Sequence, residues 1–137
     1  MRILFVCKGN RFRSISAEAI FNFLNKDKNI KTESAGLNLD LKKNYICKNV
    51  LELLREKGYT PKKNSRQLTR EISEKADMIV IVANNIDKEF FHDYFGILEK
   101  WEIDDVDELK RKKINAIIGQ IEEKVRDLIL RLENKKL

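Results

Sequence analysis

The order of apolar segments predicts an α/β fold, a three-layer doubly wound sandwich with helices on both faces of a parallel sheet, in a single domain over residues 1–137. Three observations carry it. Strand-length apolar runs alternate with amphipathic helical stretches along the chain, and consecutive parallel strands need such crossover helices. Met78 to Val82 is apolar without a break, the mark of a central strand covered on both sides. Finally, 137 residues, 42% hydrophobic and 36% charged with five glycines and one proline, suit one folded core and exclude a disordered or collagen-like chain.

In chain order, Arg2 to Val6 reads as the first strand, ending at Cys7, with Lys8, Gly9 and Asn10 as the turn after it. From Ser14, the residues Ile15, Ala19, Ile20, Phe23 and Leu24 recur at helical spacing, so this loop empties straight into a helix. Ile30 to Glu33 reads as a second strand closed by a Ser34-Ala35-Gly36 turn. Ile46, Val50, Leu53 and Leu54 mark a second helix stopped at Lys57-Gly58, with Cys47 on its apolar stripe as core packing. Residues 59–70, around the lone Pro61, read as a loop, followed by a helical turn at Arg70 to Lys75. After the central strand come a short helix over Ile86 to Tyr94, a fourth strand over Ile97 to Trp101 and an acidic loop from Glu102 to Asp107. Leu109, Ile114, Ile117, Ile121, Val125, Leu128 and Leu132 form the stripe of a last helix.

The net charge of +6 favours anionic partners, but 28 basic and 22 acidic residues are scattered through every segment, which gives nucleic-acid binding little support. Two cysteines do not make a disulfide scaffold. No apolar run approaches the ~20 residues of a membrane span, and the apolar start is shorter than the roughly 7–15 residues of a secretory core. These features read as a cytoplasmic protein with free thiols and no membrane partner. His92 is the sole histidine, so neither a Cys-His dyad nor a His-rich metal site forms around Cys7 without it; a surface or helix-end place suits it better. No cofactor or metal is called for. Trp101 and Phe90-Phe91 read as core or pocket wall rather than a stacking platform for bases.

Open parallel sheets bind ligands beyond the carboxyl ends of their strands, which directs attention to the first loop. Residues Cys7 to Ser14 read CKGNRFRS, a cysteine and an arginine separated by five residues and followed by a serine. A loop of that length between a strand end and a helix start can turn its N–H groups inward as an anion nest backed by the helix dipole. Lys8, Gly9, Asn10, Arg11, Phe12, Arg13 and Ser14 would then line a phosphate site. Arg13 supplies a planar fork for two oxygens, and Gly9 and Asn10 suit the positive φ that a tight nest requires. Helix N-termini and adjacent cations favour the thiolate, which makes Cys7 a nucleophile, and Ser14 can donate to its sulfur as it departs. A bare Cys-x5-Arg spacing would fit a buried strand-end thiol equally well; the whole string in this place favours phosphate chemistry.

VCKGNRFRS followed by AEAIF resembles the low-molecular-weight protein tyrosine phosphatases and the related thioredoxin-coupled arsenate reductases. The likeness extends through ESAG at Glu33 to Gly36, SRQLT at Ser65 to Thr69 and ADMIVIVANN in the central strand. It implies a four-stranded parallel sheet in the order 2-1-3-4, a cysteine nucleophile, an arginine phosphate clamp and a late aspartate as general acid. Asp105, in WEIDDVDE, matches that aspartate, with Asp104 next; before a helix, Asp104, Asp105 and Asp107 also suit capping. Asn10 and Ser34 match residues that brace the phosphate loop, beside Ser14.

The chain departs from the family pattern at several points. Val106 stands where a proline usually follows the acid, Phe12 where a second loop cysteine is common, and Ile15 where the helix usually starts with proline. Lys8 and Arg11 put cations at a normally apolar pocket mouth, Lys63 replaces a histidine, and the tyrosines that usually follow the acid are missing. The expected activity is metal-independent hydrolysis of a phosphorylated protein, phosphotyrosine above all, or of a small aryl phosphomonoester, through a phosphocysteine and with inorganic phosphate as product. An arsenate reductase using an external thiol is the alternative, since residues 83–100 hold no relay cysteine. A phosphoprotein-binding module without turnover is a third.

Overall fold

The computed structural model describes residues 1–135. Its elements are β1 (Arg2–Cys7), α1 (Arg13–Leu24), β2 (Lys31–Gly36), α2 (Lys48–Glu56), α3 (Arg70–Lys75), β3 (Met78–Val82), a 3-10 turn (Lys88–Phe91), β4 (Ile97–Trp101) and α4 (Arg111–Glu133). The four strands form one parallel sheet in the order β2-β1-β3-β4, so the expected topology holds.

Alternation along the strands divides the core in two. Ile3, Phe5, Met78, Val80, Val82 and Trp101 point to the face covered by α1, α2 and α4, where Phe5 lies between Phe21 and Trp101 with ring centroids 5.9 Å apart on each side. Leu4, Val6, Ile79 and Ile81 point to the other face, closed by Ile72, Phe91 and Tyr94 from α3 and the segment of the 3-10 turn. The long helices thus share one face. α1 is buried from Arg13 through Phe21 because it is held between sheet and α4, so it carries no simple stripe, and Phe23 emerges against Tyr59.

Three boundaries differ from expectation. β2 runs on through Ser34, Ala35 and Gly36, pairing with Phe5, Val6 and Cys7, because small residues let the strand end slide under the first loop. Only Lys88–Phe91 of the expected helix over Ile86 to Tyr94 winds, as a 3-10 turn capped by Asp87. α4 begins at Arg111, leaving Leu109 exposed in the preceding turn. Among the described residues no helix is long and apolar enough to cross a membrane.

Candidate active site

β1 delivers Cys7 and α1 begins at Arg13, so residues 8–12 must close the gap beyond the sheet's carboxyl edge. The loop's carbonyls are turned outward onto partners. Those of Cys7 and Lys8 accept from the Leu37 and Asn38 amides at 3.0 and 2.9 Å, and that of Asn10 accepts from Ser65 Oγ at 2.7 Å. The Arg11 and Phe12 carbonyls accept from the amides of Cys47 and Ser16 at 3.2 and 2.9 Å. The amides are left over: among the described residues none from Lys8 to Ser14 donates to a protein group. Free backbone donors in a loop whose carbonyls, that of Gly9 apart, are engaged elsewhere can act as an anion cradle. Phe12 caps α1 with no side-chain acceptor, and the first turn holds no acid, so the positive helix end also stands uncompensated.

Asn10 shapes this cradle. It takes φ of 51°, the left-handed region, while its Oδ1 accepts from the Arg66 amide at 2.8 Å and its Nδ2 donates to Ser14 Oγ at 2.7 Å. Ser14 Oγ lies 3.0 Å from Cys7 Sγ; since it already accepts from Asn10, its own hydrogen is free for the sulfur. Gly9 does not meet its expectation. Among the described residues Gly58 is the one glycine at positive φ, and a Cβ at Gly9 would meet nothing nearer than the Arg11 side chain at 3.8 Å. The glycine the loop requires is Gly36, where a Cβ would come within 2.8 Å of Lys8 O and Gly9 C and 2.7 Å of Asn10 N.

Arg13 is buried, and Nη1 alone makes its contacts: 2.9 Å to the Ile103 carbonyl, 3.1 Å to Asn85 Oδ1 and 3.5 Å to Asn84 Oδ1. Among the described residues no carboxylate pairs with it, and its Nε and Nη2 have no protein acceptor. A guanidinium with two idle donors beside seven idle amides is an arrangement that can bind an oxyanion.

Cys7, Lys8, Gly9, Arg11, Phe12 and Arg13 line one side of a cavity of about 190 Å³, with Cys47, Val50 and Ile114 as its inner wall and Asp105, Val106 and Glu108 above. Of the three aspartates, Asp105 alone lines this cavity. Asp104 accepts from Asn84 Nδ2 at 2.8 Å, and Asp107 caps its own turn through the Leu109 amide at 2.9 Å. A larger groove of about 480 Å³, between α3 and Phe90 to Gly96, shares no residue with this cavity and is lined by no cysteine.

Three placements depart from the sequence reading. Ser34 does not touch the phosphate loop; its hydroxyl donates to buried Glu18 Oε1 at 2.7 Å, which Lys62 pairs at 3.0 Å, so its support reaches the loop only through α1. Cys47 packs in the core as read, but as the residue capping α2 and in the cavity wall rather than on a helix stripe. Arg11 is no free rim cation, since it pairs with Glu108 at 2.5 Å. His92 lies exposed after the 3-10 turn, and Trp101 is core, as read. Sequence reasoning also passed over Gly36, Asn84, Asn85 and Glu108. The glycine ending a strand beside Cys7 and the paired asparagines at the end of β3 were the available signals, because both sit at carboxyl ends of strands.

The arrangement has relatives. Over 93% of this chain and 98% of the other, it superposes on the arsenate reductase from Archaeoglobus fulgidus with a TM-score of 0.73 and 26% identity. The YwlE arginine phosphatase from Geobacillus stearothermophilus gives 0.82 at 22% identity, covering 98% of this chain and 94% of that one. The low molecular weight protein tyrosine phosphatase from T. tengcongensis gives 0.83 at 22% identity over 96% and 99% of the two chains. A comparison with curated protein sequences finds no match. The family model for low molecular weight phosphotyrosine protein phosphatase matches residues 2–137. On that match, and with the 2-1-3-4 sheet beneath it, the chain belongs to the low molecular weight phosphotyrosine protein phosphatase family.

Proposed function

We propose that this chain is a cysteine-dependent phosphatase that hydrolyses phosphorylated protein side chains, phosphotyrosine foremost, or small aryl phosphomonoesters. One observation supports the reading: the seven amides of residues 8–14 have no protein acceptor among the described residues, and buried Arg13, which has no carboxylate partner there, lines the same cavity as Cys7. The phosphoryl group binds with its oxygens on the amides of residues 8–14 and on Arg13 Nε and Nη2. Cys7 Sγ attacks phosphorus, the P–O bond to the leaving group breaks, and Asp105 gives that oxygen its proton. Water then attacks the phosphocysteine, passing a proton to Asp105, while Ser14 donates to the sulfur as the P–S bond breaks and inorganic phosphate leaves. The apolar lining of Val50, Val106 and Ile114 accommodates the organic part of the ester. A reducing cytoplasm would keep Cys7 as the free thiol that this chemistry needs.

The purified protein is expected to hydrolyse p-nitrophenyl phosphate in the presence of EDTA, and Cys7→Ser to abolish turnover while still binding phosphate. Loss of activity with EDTA, or activity that survives Cys7→Ser, would contradict the reading. Phosphate binding without hydrolysis by the unmodified protein would mark a binding module instead. Phosphotyrosine and phosphoarginine peptides in the same assay rank the substrates, since an arginine phosphatase and a tyrosine phosphatase share this fold.

A second reading has support from the arsenate reductase neighbour, because arsenate has the shape and charge that the cradle accepts. Cys47 is the only other cysteine, so that reaction would need an external thiol. Arsenate-dependent oxidation of a thiol donor, lost in Cys7→Ser, in a protein without phosphatase activity would favour it.

A further inference from the structure

The phosphate loop carries two arginines, and each holds one end of the loop bearing Asp105. Arg13 Nη1 donates to the Ile103 carbonyl at 2.9 Å, at the loop's start. Arg11 Nη1 donates to Glu108 Oε2 at 2.5 Å, at its end. Arg11 is itself fixed: its Nε donates to the Tyr45 carbonyl at 2.9 Å and its guanidinium lies 5.1 Å from the centre of the Tyr45 ring. Glu108 is fixed as well, for its carbonyl accepts from Asn49 Nδ2 at 2.7 Å, and Lys43 Nζ stands 3.9 Å from its other carboxylate oxygen. Between these anchors, Asn84 Nδ2 holds Asp104 at 2.8 Å and Val106 packs against the core, but the Asp105 and Asp107 carboxylates bond only the amides of Val106 and Leu109, so no side chain ties Asp105 itself to the pocket.

We propose that Glu108 is a positioning residue, and that the Arg11–Glu108 ion pair is a latch holding Asp105 over the pocket. The proposal rests on the reading of Asp105 as the general acid. Val106 leaves this backbone free where a proline would stiffen it, so an interaction from outside the loop has to set its place. The pair spans 97 residues of chain and joins the loop that holds the phosphoryl group to the loop that protonates the leaving oxygen. A partly exposed ion pair adds little to folding stability, yet a displacement of about 1 Å at a reacting group can cost roughly 10²-fold in rate. Here the latch acts on catalysis far more than on folding.

The test compares kcat for phenyl phosphate, a poor leaving group, with kcat for p-nitrophenyl phosphate, a good one. Glu108→Gln is expected to lower the phenyl phosphate value about fivefold and the ratio of the two values about threefold, the size of effect a partly exposed pair allows. Added to Asp105→Asn, it should lower phenyl phosphate turnover no further, because it acts through Asp105. Amide exchange over residues 104–107 should quicken in Glu108→Gln with the melting temperature little changed. An equal loss on both substrates, a further loss on the Asp105→Asn background, or unaltered exchange would overturn the latch. If Asp105→Asn alters the substrate ratio and Glu108→Gln does not, the latch alone fails. If Asp105→Asn leaves the ratio untouched, the acid assignment fails and takes the latch's catalytic role with it, whatever the exchange shows.

Discussion

From Cys7 to Ser14 the chain is held by neighbours on nearly every carbonyl, and it is buried at Cys7, Asn10 and Phe12 to Ser14. From Asp104 to Asp107 all but half-buried Val106 is open to solvent, and the side-chain bonds that fasten the stretch from outside fall at Ile103, Asp104 and Glu108. As a phosphate site, the first loop would have to present donors at fixed places before substrate arrives, and its geometry is set by directional bonds in a water-poor setting, where each counts for more. On the proposed reading, the second has to meet a leaving group that differs between substrates and then admit a water molecule. Long, partly solvated side chains suit that task. Disturbing the first should therefore harm every substrate alike, whereas disturbing the second should discriminate among them.

Gly36→Ala is the hardest blow to the first loop. Its Cβ would intrude on Lys8, Gly9 and Asn10, and kcat/KM is expected to fall about 10²-fold on phenyl and p-nitrophenyl phosphate alike. A selective loss on one ester would break the contrast between the loops. Asp105→Asn should cost about 10²-fold on phenyl phosphate but only a few-fold on p-nitrophenyl phosphate, as removal of a general acid does. Ser14→Ala should slow turnover about tenfold by hindering departure of the sulfur, and a burst of phenol with phosphoenzyme accumulation in rapid-quench measurements would show it.

The smallest effect belongs to a clamp remote from both loops. Arg131 donates to Glu99 Oε1 and Oε2 at 2.6 and 3.0 Å, tying α4 to β4. Burial pushes the Glu99 carboxyl up, but hydrogen bonds from Arg131 and Trp101 and the Arg131 charge outweigh it and hold the group below its ordinary range. With a lowered folded-state value, its contribution is complete above the unfolded carboxyl's pKa and is lost as pH falls through the folded one. Glu99→Gln should cost about 1 kcal/mol at neutral pH by thermal melting, progressively less as acid is added, with kcat intact.

The same contrast explains what was legible in the sequence. Cys7 to Ser14 is a local object: an apolar run, a turn and a helix start appear in order, and the chemistry follows from spacing. Asp105 could be placed only through a family likeness, and its distinction from Asp104 came with the fold, which sends one to the cavity and the other to Asn84. Glu108 was silent because its partner lies 97 residues away and glutamate before a helix is ordinary. Ser34, Ala35 and Gly36 were read as a turn since small residues usually mark one; here they continue a strand because another loop must cross them closely.

The crossing at Gly36 bears on protein engineering. The eight residues from Cys7 to Ser14 owe their shape to a bare backbone on the adjoining strand, to the amides of Leu37 and Asn38, and to Ser65 and Arg66. Grafted alone onto another strand and helix, the octapeptide would lose the parts that shape it; a transplant that works has to carry three separate stretches of chain and keep the two strands in register.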